Sequence, residues 1–136
     1  MKKILLFLVS IAFTCYSYSQ SPFGTKQSIS TNTGAYPKVI ESGKINNDNF
    51  ADIVIGTFVG GTVEWYKNNG NGTFTLQALV SNTLGRVNGL AIADLDNDSN
   101  NDIIATSYPL GQVVWFKNNG NGTFGTAQVI ASGLTS

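Results

Sequence analysis

A ten-residue segment occurs twice in this chain, and the two copies start fifty residues apart. Trp65-Tyr66-Lys67-Asn68-Asn69-Gly70-Asn71-Gly72-Thr73-Phe74 returns as Trp115-Phe116-Lys117-Asn118-Asn119-Gly120-Asn121-Gly122-Thr123-Phe124, with one aromatic exchanged for another. At the same offset Asn46-x-Asp48-x-x-x-Asp52-Ile53-Val54 aligns with Asp96-x-Asp98-x-x-x-Asp102-Ile103-Ile104, so the period spans a whole unit. A period of this size means that one supersecondary unit is stacked on copies of itself, as in solenoids, propellers and arrays.

Within a unit the apolar runs are short and rich in β-branched and aromatic residues: Leu90-Ala91-Ile92-Ala93, Ile103-Ile104-Ala105-Thr106, Val113-Val114-Trp115-Phe116 and Ala127-Gln128-Val129-Ile130. None is long enough for a stable helix, and each reads as a strand. The Asn-Asn-Gly-Asn-Gly segment joins the third run to the fourth, because Asn and Gly accept the positive φ of a tight hairpin. Val113 to Phe116 show no polar alternation, which suits a sheet covered on both faces. The fold class predicted is all-β: four-stranded antiparallel β-propeller blades, with blade 1 over residues 36–82 and blade 2 over 83–136.

The N-terminus has its own logic. Lys2 and Lys3 precede a largely apolar run over residues 4–13, followed by small residues at Ser17 and Ser19. This is the pattern of a secretory signal peptide, expected over residues 1–19 with cleavage near Ser19 and a secreted or cell-surface product. The run is about half of the ~20 residues that a membrane-spanning helix needs, so no stable membrane insertion is expected. Ala12-Phe13-Thr14 before Cys15 fits lipoprotein processing poorly. Phe23-Gly24-Thr25-Lys26-Gln27-Ser28-Ile29 matches Phe124-Gly125-Thr126-Ala127-Gln128-Val129-Ile130, so residues 20–35 are expected to form an outer strand without its blade. Closed propellers need about four to eight blades. The expectation is a partial propeller, the N-terminal piece of a longer chain whose further blades pair with residues 23–30.

The candidate site is the loop Asp94-Leu95-Asp96-Asn97-Asp98-Ser99-Asn100-Asn101-Asp102. Four carboxylates gathered about 4 Å apart repel by ~4 kcal/mol per pair at an effective dielectric of ~20, which calls for a cation. An all-oxygen donor set selects a hard ion, Ca2+ ahead of Mg2+. Asp94, Asp96, Asp98 and Asp102 are the expected side-chain ligands, with the Asn100 carbonyl as a fifth. An EF-hand is excluded, because Ser99 and Ala105 stand where it needs Gly and Glu. Asp and Asn are also ordinary turn residues, but alternate-position acids closing at the mouth of a strand are more ordered than a turn requires. The first copy has Lys44 in the leading position and offers Asn46, Asp48 and Asp52 as a weaker second site, with the Lys44 ammonium expected to stand in part for the ion.

On the strength of this D-x-D-x-D-x-x-x-D loop, the Asn-Gly-Thr-Phe hairpin and the Phe-Gly pairs at 23-24 and 124-125, the chain resembles FG-GAP/VCBS-like repeats of secreted bacterial proteins and, more distantly, the propeller head of integrin α subunits. The resemblance covers residues 23–132 and implies calcium-stabilised blades acting in adhesion or as non-catalytic modules. The chain departs from that pattern: no Gly-Ala-Pro follows, Ser99 replaces the usual loop Gly, and the first loop lacks its leading Asp.

Other functions find little support. There is no His, and the only Cys is Cys15 in the expected signal peptide. Without that peptide six basic residues face eight acids, a balance that attracts no nucleic acid. Gly120-x-Gly122-x-x-Gly125 fits a dinucleotide fingerprint, but a β-type segment follows it instead of a helix. The three Asn-x-Ser/Thr sequons fall in the hairpins and the acidic loop. Glu41 and Glu64 occupy non-equivalent places and make no glycosidase pair. Trp65, Tyr66, Trp115 and Phe116 recur at equivalent strand positions, as blade core does. The expected function is therefore non-enzymatic: a secreted calcium-binding module interacting with an extracellular protein or glycan. The alternative is a carbohydrate-binding accessory module of a secreted enzyme.

Overall fold

The computed structural model describes residues 25–30 and 36–134. The signal peptide expected over 1–19, Cys15 and the Phe23-Gly24 pair lie outside the described residues. Those described contain eight strands and no helix: β1 (Pro37–Gly43), β2 (Asp52–Thr57), β3 (Val63–Asn68), β4 (Phe74–Leu76), β5 (Arg86–Ala93), β6 (Asp102–Tyr108), β7 (Gln112–Phe116) and β8 (Gln128–Ala131). They form two antiparallel sheets in the orders β1-β2-β3-β4 and β5-β6-β7-β8.

The fifty-residue period is carried down to the register. Ile53 pairs with Tyr66 as Ile103 pairs with Phe116, and Val54 with Trp65 as Ile104 with Trp115. Each first strand has an irregularity at its start, between Pro37 and Val39 and between Val87 and Gly89. The fourth strand is where the copies diverge. In blade 1 its hairpin-proximal half is strand β4 and its distal half shrinks to a bridge between Val63 and Ser81; in blade 2 the proximal half is a bridge between Asn118 and Phe124 and the distal half is β8. The hairpins themselves match closely. Asn71 and Asn121 each accept from a Thr amide two residues on, and Asn69 and Asn119 each close the turn with an N–H to a Thr carbonyl. Those Asn side chains supply the turn bonds expected of them.

The core lies between the two sheets. Val54, Val63 and Trp65 of blade 1 meet Ile103, Ala105, Val114 and Phe116 of blade 2, all buried. The two sets are not equivalent: fifty residues on from Trp65 is Trp115, not Phe116. Blade 1 therefore uses one face for this contact and blade 2 the opposite face, so stacking is head-to-tail, the packing that repeats around a propeller. Small residues make the approach possible. A Cβ on Gly56 would lie 2.5 Å from Val87 Cγ1, and one on Gly43 would lie 2.9 Å from Ile92 Cγ2.

Of the outer strand expected over 20–35, residues 25–30 are irregular, with no ladder pairing. Ile29 and Ser30 lie beside Pro37, Ile40 and Ile55. So short a segment holds an extended strand only against a paired edge.

Candidate metal centre

Each acidic loop joins the first and second strands of its blade, and each is anchored by its last Asp. Asp102 is fully buried and accepts from the Leu95 N–H at 3.1 Å and the Asn118 N–H at 2.8 Å. Asp52 does the same for Ile45 at 3.3 Å and Asn68 at 2.8 Å. One carboxylate thus ties the loop to the hairpin of the third strand. Hydrogen bonds to a charged acceptor contribute about 1.5–3 kcal/mol each, so this anchor holds in either blade whether or not an ion is bound.

In blade 2, oxygens of Asp94, Asp96 and Asp102 lie within 4.8 Å of one another. The loop is wound tightly enough to bring them there: Asn97 and Ser99 have φ of 61° and 70°, and the Asp94 carboxylate accepts the N–H groups of Asp98 and Ser99 at 3.1 and 2.9 Å. Asp98 is not part of that trio. One of its oxygens accepts the Asn100 N–H at 2.8 Å, and the other accepts from Lys117 Nζ at 2.7 Å. Lys117 Nζ also donates to Asp96. The Asn100 side chain lies over Gly120 of the hairpin.

The ammonium of Lys117 is thus the cation that Asp96 and Asp98 face. It holds the Asp98 carboxyl below its usual range, with the Asn100 N–H assisting, and the two carboxylates push the Lys117 ammonium's own pKa up. The sign is that of mutual stabilisation: the pair is intact above the depressed Asp98 pKa and below the raised Lys117 pKa, and is lost on either side.

In blade 1 the corresponding lysine is Lys67, whose Nζ stands 3.5 Å from Asp48. The Phe50 N–H is the larger influence lowering the Asp48 pKa. Asn46 accepts the Asp48 N–H at 3.1 Å. Lys44, expected to stand in part for an ion, makes no ion pair with a carboxylate among the described residues; its carbonyl accepts from Asn101 Nδ2 at 2.9 Å, and the cation at Asp48 comes from the hairpin. The first loop holds only two carboxylates, Asp48 and the anchor Asp52, so no three-carboxylate cluster forms there among the described residues.

The sequence reading missed the residues that join the two loops. Asn118 is fully buried and donates from Nδ2 to the Ile45 carbonyl of blade 1 at 2.6 Å and to the Asn101 carbonyl at 2.9 Å. Asn47 returns a bond to the Gly120 carbonyl at 2.8 Å. The signal was present in the Lys-Asn pair that both copies of the hairpin keep at 67-68 and 117-118.

A family model described as FG-GAP-like repeat matches residues 44–105, from the first residue of one acidic loop, through the second loop, into β6. The chain carries an FG-GAP-like repeat over this stretch. The matched stretch is out of phase with the blades: it takes the last three strands of blade 1 and the first strand of blade 2, and so includes both acidic loops. No curated protein and no solved structure matches the chain. FG-GAP-like repeats are typical of extracellular proteins, and among the described residues no helix is long and apolar enough to cross a membrane.

Proposed function

We propose that this chain is a secreted, non-catalytic FG-GAP-like repeat module that binds calcium in its second loop and interacts with an extracellular protein or glycan in adhesion. The observation that carries the reading is the convergence of Asp94, Asp96 and Asp102 oxygens within 4.8 Å on a loop clamped to the hairpin behind it. A cluster of hard oxygen donors fits a hard divalent ion. Asp94, Asp96, Asp98 and Asp102 would hold it, with the Asn100 carbonyl and water completing the shell. The ion supplies two positive charges in place of the single charge on Lys117. Lys117 must then release Asp96 and Asp98, which its flexible four-carbon stem allows. Asp102 stays in place, because its backbone partners are unchanged.

Further blades of the same longer chain are the first partners in this reading. Trp65 is covered by the blade 2 hairpin, whereas its equivalent Trp115 is only half-buried, on the face of blade 2 turned away from blade 1. Head-to-tail stacking leaves that face for a successor.

Calorimetric titration of the full chain with calcium chloride, alongside melting in EDTA and in calcium, tests the calcium reading. Binding in the ~10⁻⁴–10⁻³ M range of extracellular modules is expected, together with a calcium-dependent rise in Tm that Asp96→Ala abolishes. Absence of both heat and Tm rise at about 10 mM calcium, well above that range, would overturn it.

A further inference from the structure

At the end of the blades opposite the acidic loops, cations and aromatic rings alternate across both sheets. Phe58 follows β2 and Tyr108 ends β6, fifty residues apart. Arg86, the first residue of β5, stands with its guanidinium carbon 4.9 Å from the Phe58 ring centre and 5.6 Å from that of Tyr108. Lys38 Nζ lies 5.7 Å from the Phe58 ring centre. The order Lys38, Phe58, Arg86, Tyr108 gives one cation and one ring per blade.

The Arg86–Phe58 contact staples blade 1 to blade 2, but a staple does not explain the charge. Six of the eight acids lie in the two loops at the far end. The ion pairs among the described residues use Lys67 and Lys117, so neither Lys38 nor Arg86 has a carboxylate within 4.0 Å. Glu64, on the strand that returns from this end, is engaged by the hydroxyls of Thr62 and Tyr66. The aromatic surface is also open: Tyr36 is 74% exposed and Tyr108 43%. Tyr36 occupies the blade 1 position equivalent to Arg86, is held at φ 61°, and accepts the Phe58 N–H at 2.8 Å. A left-handed backbone at a bulky residue is costly and persists only where the surrounding contacts hold it. Tyr36, Pro37, Lys38 and Phe58 line a shallow depression of about 220 Å³.

We propose that this row is a binding surface for an acidic polysaccharide, a chain of uronic-acid rings. Arg86 is exposed and pairs with no carboxylate, so its guanidinium fork is available to take one bidentately. Exposed Tyr rings offer flat apolar faces with a polar rim, suited to the C–H face of a sugar. A ligand with one carboxylate per ring matches a surface with one cation and one aromatic per blade better than an acidic peptide does, because a peptide brings carboxylates without the flat rings. The surface stands apart from the calcium loop and does not depend on it.

The test is binding of polygalacturonate oligosaccharides to the full chain in EDTA, which keeps calcium out of both protein and ligand. A neutral xylan oligosaccharide and polyglutamate serve as comparisons. Expected are saturable binding of the polyuronate, no binding of xylan, weaker binding of polyglutamate, and an affinity loss of about tenfold or more, some 1.4 kcal/mol, in Arg86→Lys and in Lys38→Glu. Arg86→Lys keeps the charge and removes the fork, and Lys38→Glu lies outside the inter-blade contact, so a folding defect in one variant leaves the other informative. Polyuronate binding that is absent at millimolar ligand, matched by polyglutamate, or unchanged in folded variants overturns the proposal.

Discussion

Lys117 places its ammonium 2.7 Å from Asp98, and fifty residues earlier Lys67 stands 3.5 Å from Asp48. Both lysines follow the aromatic pair of the third strand, so the same position reaches the acidic loop of its own blade in both copies. The difference is in what the lysine finds there: one acid, Asp48, in blade 1, and two, Asp96 and Asp98, in blade 2.

If calcium takes the place of the Lys117 ammonium, that ammonium competes with it. Lys117→Met is expected to tighten calcium binding several-fold in calorimetric titration, and to lower Tm slightly in EDTA, since exposed ion pairs contribute little individually. An unchanged calcium affinity would show that the two cations do not share a site.

Asp102 and Asp96 belong to the same loop but have different work. Asp102→Ala removes two buried backbone bonds and is expected to cost about 3–5 kcal/mol in urea denaturation, with or without calcium. Asp96→Ala is expected to stay within about 1 kcal/mol of the parent in EDTA while losing the calcium response. Equal losses from both in EDTA would mean that Asp96 is structural too.

A Cβ at Gly122 would lie 2.2 Å from Trp65 Cη2, and the residue has φ of +79°; Gly72, at φ of +83°, has only Gln27 Oε1 nearby, at 3.5 Å. Both replacements by Ala incur the left-handed penalty of about 1–2 kcal/mol. Gly122→Ala is expected to add about 1–3 kcal/mol for crowding the inter-blade contact. The difference between the two variants in chemical denaturation isolates that contact.

Tyr66 is buried, donates to Glu64 at 2.7 Å, and has its pKa raised, chiefly by burial. A raised pKa means the fold favours the protonated phenol, so its contribution is complete below the ordinary value of 10.0 and is lost as pH climbs through the folded value. Tyr66→Phe is expected to cost about 1–3 kcal/mol at neutral pH by leaving Glu64 short of a donor. Its disadvantage should shrink above pH 10, as read from Tm against pH.

The legible part of the fold was whatever the period and local chemistry settle together. Strand positions over 90–93, 103–106 and 113–116 follow from β-branched runs, and the hairpins from Asn and Gly, since these choices depend on a residue and its near neighbours. The loop's acids were legible for the same reason. Their partners were not: Lys117 is nineteen residues from Asp98 along the chain and Asn118 seventy-three from Ile45. No spacing rule connects residues that meet only when strands are laid side by side and sheets are stacked.

From the sequence alone came the repeat, the four-strand unit, the antiparallel order and the acid-rich turn, all consequences of short-range sterics and of hydrophobic residues recurring at a fixed interval. The tertiary structure decided which face of each sheet meets its neighbour, and with it why Trp65 is covered and Trp115 is not. It also decided that the second loop's Asp98 turns to a lysine and that Arg86 stands between two rings from different blades. Period is a property of the chain, whereas the faces, pairs and charges that share a surface depend on how side chains from distant segments fill one volume.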